Sequence, residues 1–258
     1  MKRLFASLAT AAMLFSPLAA RAADLAVKAP PPVPYPTFSW TGFYIGGNIG
    51  GAWSNNRWNV VDPLFVTNFN NGNNGVFIGG GQIGGNYQIG QFVIGAEWDF
   101  DWAANNNNSA GVFIPAVGNT FLVTANNRWI STVAARFGWA VDHWMFYGKA
   151  GGGWVGTNNL TVTNLTTGAS LTCGSFLNSC GNNNGGWLLG AGVEYAFAPN
   201  WTVKAEYDYL GLGNRTFVVP GTAPFFAGDT FTSNNRNVQM VKLGVNYLFN
   251  WGAPATRY

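Results

Sequence analysis

Phe92-Val93-Ile94-Gly95-Ala96-Glu97-Trp98-Asp99-Phe100-Asp101-Trp102 is the stretch that decides the fold. Read with a period of two, Phe92, Ile94, Ala96, Trp98, Phe100 and Trp102 share one face, and Val93, Gly95, Glu97, Asp99 and Asp101 share the other. Successive side chains of a β-strand point to opposite faces, so this is a strand with an aromatic side and an acidic side. A soluble sheet would bury the aromatics and wet the acids. A membrane barrel does the reverse, and the rest of the chain chooses between them.

The same division recurs. In 126–140, Trp129, Val133, Ala135, Phe137 and Trp139 oppose Arg128, Thr132 and Arg136. In 201–212, Trp201, Val203, Ala205, Tyr207 and Tyr209 oppose Lys204, Glu206 and Asp208. Carried through the chain, this parity sets twelve charges opposite the aromatics: Glu97, Asp99, Asp101, Glu194, Glu206 and Asp208 against Arg128, Arg136, Lys149, Lys204, Arg236 and Lys242. A basic residue facing lipid at the bilayer midplane costs roughly 2–4 kcal/mol. Six of them would approach a domain's whole stability of about 5–15 kcal/mol. The charged face therefore points inward, where opposite charges pair as a lumen network.

Eight alternating segments are predicted as strands, at 40–53, 76–88, 92–105, 126–140, 144–157, 187–197, 201–212 and 237–249. Each is long enough to cross a membrane tilted, and none contains any of the twelve prolines, which would interrupt a paired strand. The connections alternate. Ile89-Gly90-Gln91, Val141-Asp142-His143 and Ala198-Pro199-Asn200 are tight turns, whereas 54–75, 106–125, 158–186 and 213–236 are long. Short turns at one end and long loops at the other describe an eight-stranded antiparallel up-and-down transmembrane β-barrel, all-β, with both termini on the short-turn, periplasmic side.

Composition agrees. The chain is 48% hydrophobic and 16% aromatic but only 9% charged, where a soluble domain is about a quarter charged. No segment has the run of about eighteen apolar residues that a transmembrane helix needs. Outward aromatics recur ten residues apart in six strands: Phe43/Trp53, Phe77/Tyr87, Phe92/Trp102, Trp129/Trp139, Trp144/Trp154 and Trp187/Phe197. Ten residues cover about 33 Å of strand. Tilted, that is about 25 Å of height, the apolar band between two aromatic girdles.

Met1-Lys2-Arg3, the apolar run to Leu18 and the small-x-small Ala20-Arg21-Ala22 read as a secretory signal over 1–22. A Pro-rich linker, 23–39, precedes the barrel at 40–249, and 250–258 is a C-terminal tail. Without Lys2, Arg3 and Arg21 the thirteen basic residues fall to ten, matching the ten acids, so nucleic acid is not an expected partner. Cys173 and Cys180, close together in a secreted chain, are expected to form a disulfide within one loop.

No catalytic, cofactor or metal site is expected. Gly79-x-Gly81-x-x-Gly84 and Gly151-x-Gly153-x-x-Gly156 match the dinucleotide fingerprint, but both lie inside strands and neither opens a helix. Glu97, Asp99 and Asp101 could form a metal or catalytic cluster, but bases on the same face can neutralise them. The single histidine, His143, sits in a tight turn with no nucleophile beside it. The Asn-rich stretches 105–108 and 182–184 read as solvated surface loops.

Several stretches carry a family resemblance: Trp40-Thr41-Gly42-Phe43-Tyr44-Ile45-Gly46-Gly47-Asn48 after a Lys-Ala-Pro-Pro linker, Val93 to Phe100, Gly190-Ala191-Gly192-Val193-Glu194-Tyr195, and Asn200 to Tyr207. Together they resemble the small outer-membrane immunogenic protein family, RopB-type, with an OmpA-like barrel and often labelled porin family. The resemblance implies an abundant, surface-exposed protein of the Gram-negative outer membrane, inserted by the barrel-assembly machinery. Some members are described as binding haemin, but no residue here carries that over. Members usually end at the aromatic that closes the last strand. Here Phe249 is followed by nine residues, so either Phe249 or Tyr258 serves as the assembly signal.

Three functions follow as expectations. The first is a structural, surface-exposed envelope protein, monomeric and in contact with outer-membrane lipid. The second is a narrow diffusion channel, since Gly46, Gly50, Gly80, Gly84, Gly151, Gly190 and Gly192 are small inward positions that could let water pass. The third is capture of a ligand or host factor by the long loops.

Overall fold

The computed structural model describes residues 38–62, 65–71, 75–104, 109–114, 119–124, 127–157, 161–172, 185–218 and 230–250. Every regular element among them is a strand. In chain order they are β1 (Gly42–Asp62), β2 (Phe65–Asn71), β3 (Gly75–Ile89), β4 (Phe92–Ala103), β5 (Ser109–Ile114), β6 (Asn119–Thr124), β7 (Asn127–Val141), β8 (Trp144–Thr157), β9 (Thr161–Asn164), β10 (Ser170–Thr172), β11 (Gly185–Ala198), β12 (Trp201–Leu212), β13 (Arg215–Val218) and β14 (Thr230–Asn250).

Eight of these close a barrel in the order β1-β3-β4-β7-β8-β11-β12-β14, each pairing antiparallel with the next and β14 returning to β1. Closure runs from Gly42↔Asn250 to Asn55↔Asn237 without a break and continues past a bulge to Val61↔Thr230. A closed ladder leaves no unpaired edge, which is the only way strands can span a bilayer. The tight turns fall at Gly90-Gln91, Asp142-His143 and Pro199-Asn200. Gly90 (φ 62°) and Asp142 (φ 53°) adopt the left-handed conformation, which glycine takes freely and aspartate tolerates through local hydrogen bonding. Gly42 and Asn250 lie at the same end as these turns.

The structure departs from the sequence expectation at two places. Trp40 is not the first residue of a strand. The 38–41 segment precedes β1 and folds inward over the turn end of the barrel. Trp40 N donates to the Gln88 side chain (2.9 Å), Gln88 N donates to Thr41 Oγ1 (3.0 Å), and Phe38 packs edge-on against Trp40 at 4.8 Å. The chain bends out of this stopper at Gly42, where a Cβ would collide with the Phe249 backbone. The long connections are also not plain coil. β2 extends the barrel wall beside β1, β13 does so beside β14, and β5, β6, β9 and β10 form a separate four-stranded sheet in the order β10-β9-β6-β5. Their Thr, Val and Phe content suits pleated pairing, and pairing satisfies backbone groups that would otherwise need water.

The interior is layered. At the turn end Phe38, Trp40, Tyr44, Val93, Met145, Tyr147 and Leu248 form one buried apolar cluster. At the loop end Ile78, Ile130, Val155, Leu188, Leu210 and Met240 form another. The charged side chains lie between them.

Candidate functional site in the barrel interior

Strand alternation delivers the interior charges. β4 points Glu97, Asp99 and Asp101 inward, and β12 points Lys204, Glu206 and Asp208 inward. Counted around the barrel, β4 is the third strand and β12 the seventh, so they stand on opposite walls. Arg136 of β7, Lys149 of β8, Glu194 of β11 and Lys242 of β14 come from the strands between. All ten side chains are at most 3% exposed.

They join into one network that crosses the lumen. Lys204 of β12 reaches Glu97 of β4 at 2.9 Å. Lys149 touches both walls, with Glu97 at 3.1 Å and Asp99 at 3.2 Å on one side, and Glu206 at 2.7 Å and Asp208 at 3.3 Å on the other. Lys242 does the same, lying 3.2 Å from Asp99 and from Glu206 and 3.0 Å from Asp208. Arg136 joins Glu97 (3.4 Å) to Glu194 (2.7 Å). Its guanidinium lies 4.0 Å from the Tyr147 ring centre and 5.4 Å from that of Tyr44. Desolvating a charge costs several kcal/mol, which is offset only where several partners surround it; here each lysine has at least three.

Of the twelve charges the sequence assigns to the lumen, these ten are brought together. Arg236 is buried but sits apart at the loop end, where it donates to the Gly213 carbonyl (3.3 Å). The Arg128 side chain lies outside the described residues, as do Cys173 and Cys180. Parity reasoning left out several members of the interior. Tyr44 OH donates to Glu97 (2.8 Å), and Tyr147 OH donates to Glu206 (2.7 Å). Asn48 Nδ2 donates to Gln82 Oε1 (2.7 Å), whose Nε2 donates to Asn246 Oδ1 (2.7 Å), and Asn246 Nδ2 reaches Glu194 (2.9 Å). The signal that finds them is the same parity, applied to polar and aromatic residues rather than to charges alone.

Each of the small inward positions has a close neighbour. A Cβ at Gly84 or Gly192 would strike the Tyr44 or Tyr147 side chain, and one at Gly190 would strike Asp208. At Gly46 it would meet Asn246 and Gln82, and at Gly50, Gly80 and Gly151 the neighbouring strand's carbonyl. Gly46, Gly84, Gly190 and Gly192 make room for large or polar side chains, and Gly50, Gly80 and Gly151 allow close strand approach.

Glu97, Asp99 and Glu206 each offer an oxygen within 4.8 Å of the others, a spacing that could hold a metal ion. The Lys149 ammonium already contacts all three at 2.7–3.2 Å. Both Gly-x-Gly-x-x-Gly matches lie inside barrel strands, β3 and β8, with no helix to receive a phosphate.

On the outer surface, Phe43, Trp53, Phe77, Tyr87, Phe92, Trp102, Trp129, Trp139, Trp144, Trp154, Trp187 and Phe197 are all exposed, at 37–63%. They form two rows, one at each end of the strands. The seventh and eighth strands complete the turn-end row with Trp201 and Phe249. At the loop end Tyr209 packs against Trp187 with the rings tilted (5.3 Å between centres), and Gln239 stands where an aromatic would.

The molecule is thus a closed barrel with a polar interior and an exposed apolar exterior. A family model described as an outer membrane protein beta-barrel domain matches residues 8–249. The chain belongs to that family. It is 35% identical to the 31 kDa outer-membrane immunogenic protein of Brucella melitensis over 94% of this chain and 98% of that one. It is 28% identical to a 22 kDa outer membrane protein of Rhizobium leguminosarum, over 83% and 80% respectively. It is 25% identical to the 25 kDa outer-membrane immunogenic protein of Brucella abortus, over 93% and 95%. The protein is an outer-membrane β-barrel; its two Brucella relatives are named outer-membrane immunogenic proteins and its Rhizobium relative an outer membrane protein.

Proposed function

We propose that the protein is a structural, surface-exposed component of the outer membrane with a closed lumen and no enzymatic activity. The observation that carries this reading is that Lys149 and Lys242 each bind carboxylates from opposite walls at 2.7–3.3 Å. A solute crossing the barrel would have to separate several buried ion pairs at once. The apolar layers on both sides, one stoppered by Phe38 and Trp40, add to the barrier. Liposome swelling tests it. Proteoliposomes should take up small sugars no faster than empty liposomes. Uptake that falls with solute size would replace the reading with a diffusion channel.

In this reading the outward rows are interfacial girdles and the band between them contacts lipid. The ends of the first and last barrel strands, Gly42 and Asn250, share the tight-turn end; that end and the chain termini face the periplasm, and the paired strands of the long connections face outside. The barrel acts as a monomer, and the assembly machinery reads Phe249 or Tyr258. The hydroxyls that do lie against carboxylates, Thr202 on Glu194 and Thr132 on Asp99, are at most 1% exposed inside the ionic layer, away from any substrate. An epitope tag between β5 and β6 should be accessible on intact cells, and one in the Pro199-Asn200 turn only after the membrane is opened. The reverse result would invert the orientation.

A further inference from the structure

Among the described residues the ionic layer sets six carboxylates, Glu97, Asp99, Asp101, Glu194, Glu206 and Asp208, against four cations, Arg136, Lys149, Lys204 and Lys242. Tyr44 and Tyr147 add no charge, because each donates its hydroxyl proton to a carboxylate. The layer is short of positive charge, and a buried charge without compensation is destabilising.

Glu206 and Asp208 touch each other within this layer. They stand two residues apart on β12 and so share its inward face. The same two ammonium groups hold both. Lys149 lies 2.7 Å from Glu206 Oε1 and 3.3 Å from Asp208 Oδ2, and Lys242 lies 3.2 Å and 3.0 Å from the same two oxygens. This draws the two carboxyl groups into hydrogen-bonding reach of each other. Two ionised carboxylates cannot hydrogen-bond, since both only accept, so a pair in contact needs a proton between them. Glu206 is the better provided, with Lys204 at 3.5 Å and the Tyr147 hydroxyl at 2.7 Å besides the shared lysines. No donor is aimed at Asp208 Oδ1, which lies over Gly190 of β11 where a Cβ would strike it. The charged and titratable groups facing the pair are Lys242 of β14, Lys149 and Tyr147 of β8, Lys204 of β12, and Glu97 and Asp99 of β4. β11 faces it with Gly190 and Gly192 and sends its own acid, Glu194, to Arg136.

We propose that the folded barrel holds a proton on Asp208, shared with Glu206, and that the ionic layer is thereby a pH-sensitive lock. The proton comes from solvent as the chain folds. While it is held, the two acids bind each other. When it leaves, two carboxylates in contact repel and the layer loosens. In the unfolded chain both acids are ionised above about pH 5. Above that pH the native state binds one proton more than the unfolded state. Stability therefore falls as pH rises, by up to about tenfold in the folding equilibrium per pH unit, until the native pair gives the proton up.

Urea unfolding of the barrel in detergent, followed from about pH 6 to about pH 9, tests this. The wild-type midpoint should fall steadily across the range. Asp208→Asn puts an amide donor against Glu206 where the proton was. Its midpoint should be independent of pH and should exceed that of the wild type at the alkaline end. His143→Gln, in the exposed turn, should keep the wild-type dependence. Infrared spectra in heavy water should show the carbonyl stretch of a protonated carboxyl in the folded wild type at neutral pH, and not in Asp208→Asn. If Asp208→Asn does not fold, Asp101→Asn takes its place; it should keep both the band and the pH dependence, because its acid lies outside the pair. A wild-type midpoint that stays flat or rises, or a wild type without the band, would overturn the proposal. So would an Asp208→Asn midpoint that falls as the wild type does, loss of the band in Asp101→Asn, or loss of the pH dependence in His143→Gln.

Discussion

Lys149 contacts four carboxylates on two facing strands, Glu97 and Asp99 on β4 and Glu206 and Asp208 on β12. Removing its ammonium leaves these acids to repel one another in a space without water. Lys149→Met is therefore expected to cost about 3–5 kcal/mol, the usual penalty for orphaning a buried ion pair. Equilibrium unfolding in urea measures it, and a cost under about 1 kcal/mol would mean that the network is incidental, as exposed pairs are. Arg136→Lys keeps a charge but not the planar group held beside Tyr147 and Tyr44. It should lose part of that stability, since guanidinium stacking and two-sided hydrogen bonding do not transfer to an ammonium. At this scale the sequence was informative about direction and silent about partners. Parity put eleven charges inside whose burial the structure describes, but the pairing of Lys204 with Glu97 depends on barrel width, which no local pattern encodes. Tyr44 and Tyr147 depart from the outward-aromatic pattern because their hydroxyls bond carboxylates in the lumen.

The strands themselves were legible because each carries an aromatic face and a charged or small face over a dozen residues. The segment before β1 was not. Trp40 has the parity and the composition of a first strand residue, yet at 1% exposure it forms the stopper at the turn end. Trp40→Ala should destabilise the barrel by about 3–5 kcal/mol, as other large-to-small core changes do, with the loss read from the urea midpoint. The short strands β5, β6, β9 and β10 leave little trace in the sequence for a different reason. They are three to six residues long, too short for a period of two to stand out, and the β6–β9 pairing that joins the two hairpins links connections far apart in sequence. On the outer face Ala135 is exposed midway along β7. Ala135→Arg should cost about 2–4 kcal/mol in a lipid bilayer. His143→Arg, in the exposed turn, should cost little. Equal effects at the two positions would contradict a lipid-facing band.

For the whole molecule, the aromatic exterior and the charged interior are one arrangement seen from two sides. Alternation that turns Trp98 outward turns Glu97 and Asp99 inward, and closure through β1 and β14 brings these acids within reach of the bases of the far wall. Fold and membrane were readable from sequence because both rest on a period of two. The state of the lumen was not, because glycines at Gly84 and Gly192 look like open space until Tyr44 and Tyr147 are seen to fill it. The central claim is that the lumen is closed by its own charges. Single-channel recording of the purified protein in a planar bilayer tests this most directly, with the Lys149→Met/Lys242→Met double variant for comparison. The wild type should give no unit conductance, and any current should arise only in the variant. Stable, reproducible unit conductance from the wild type would contradict the account.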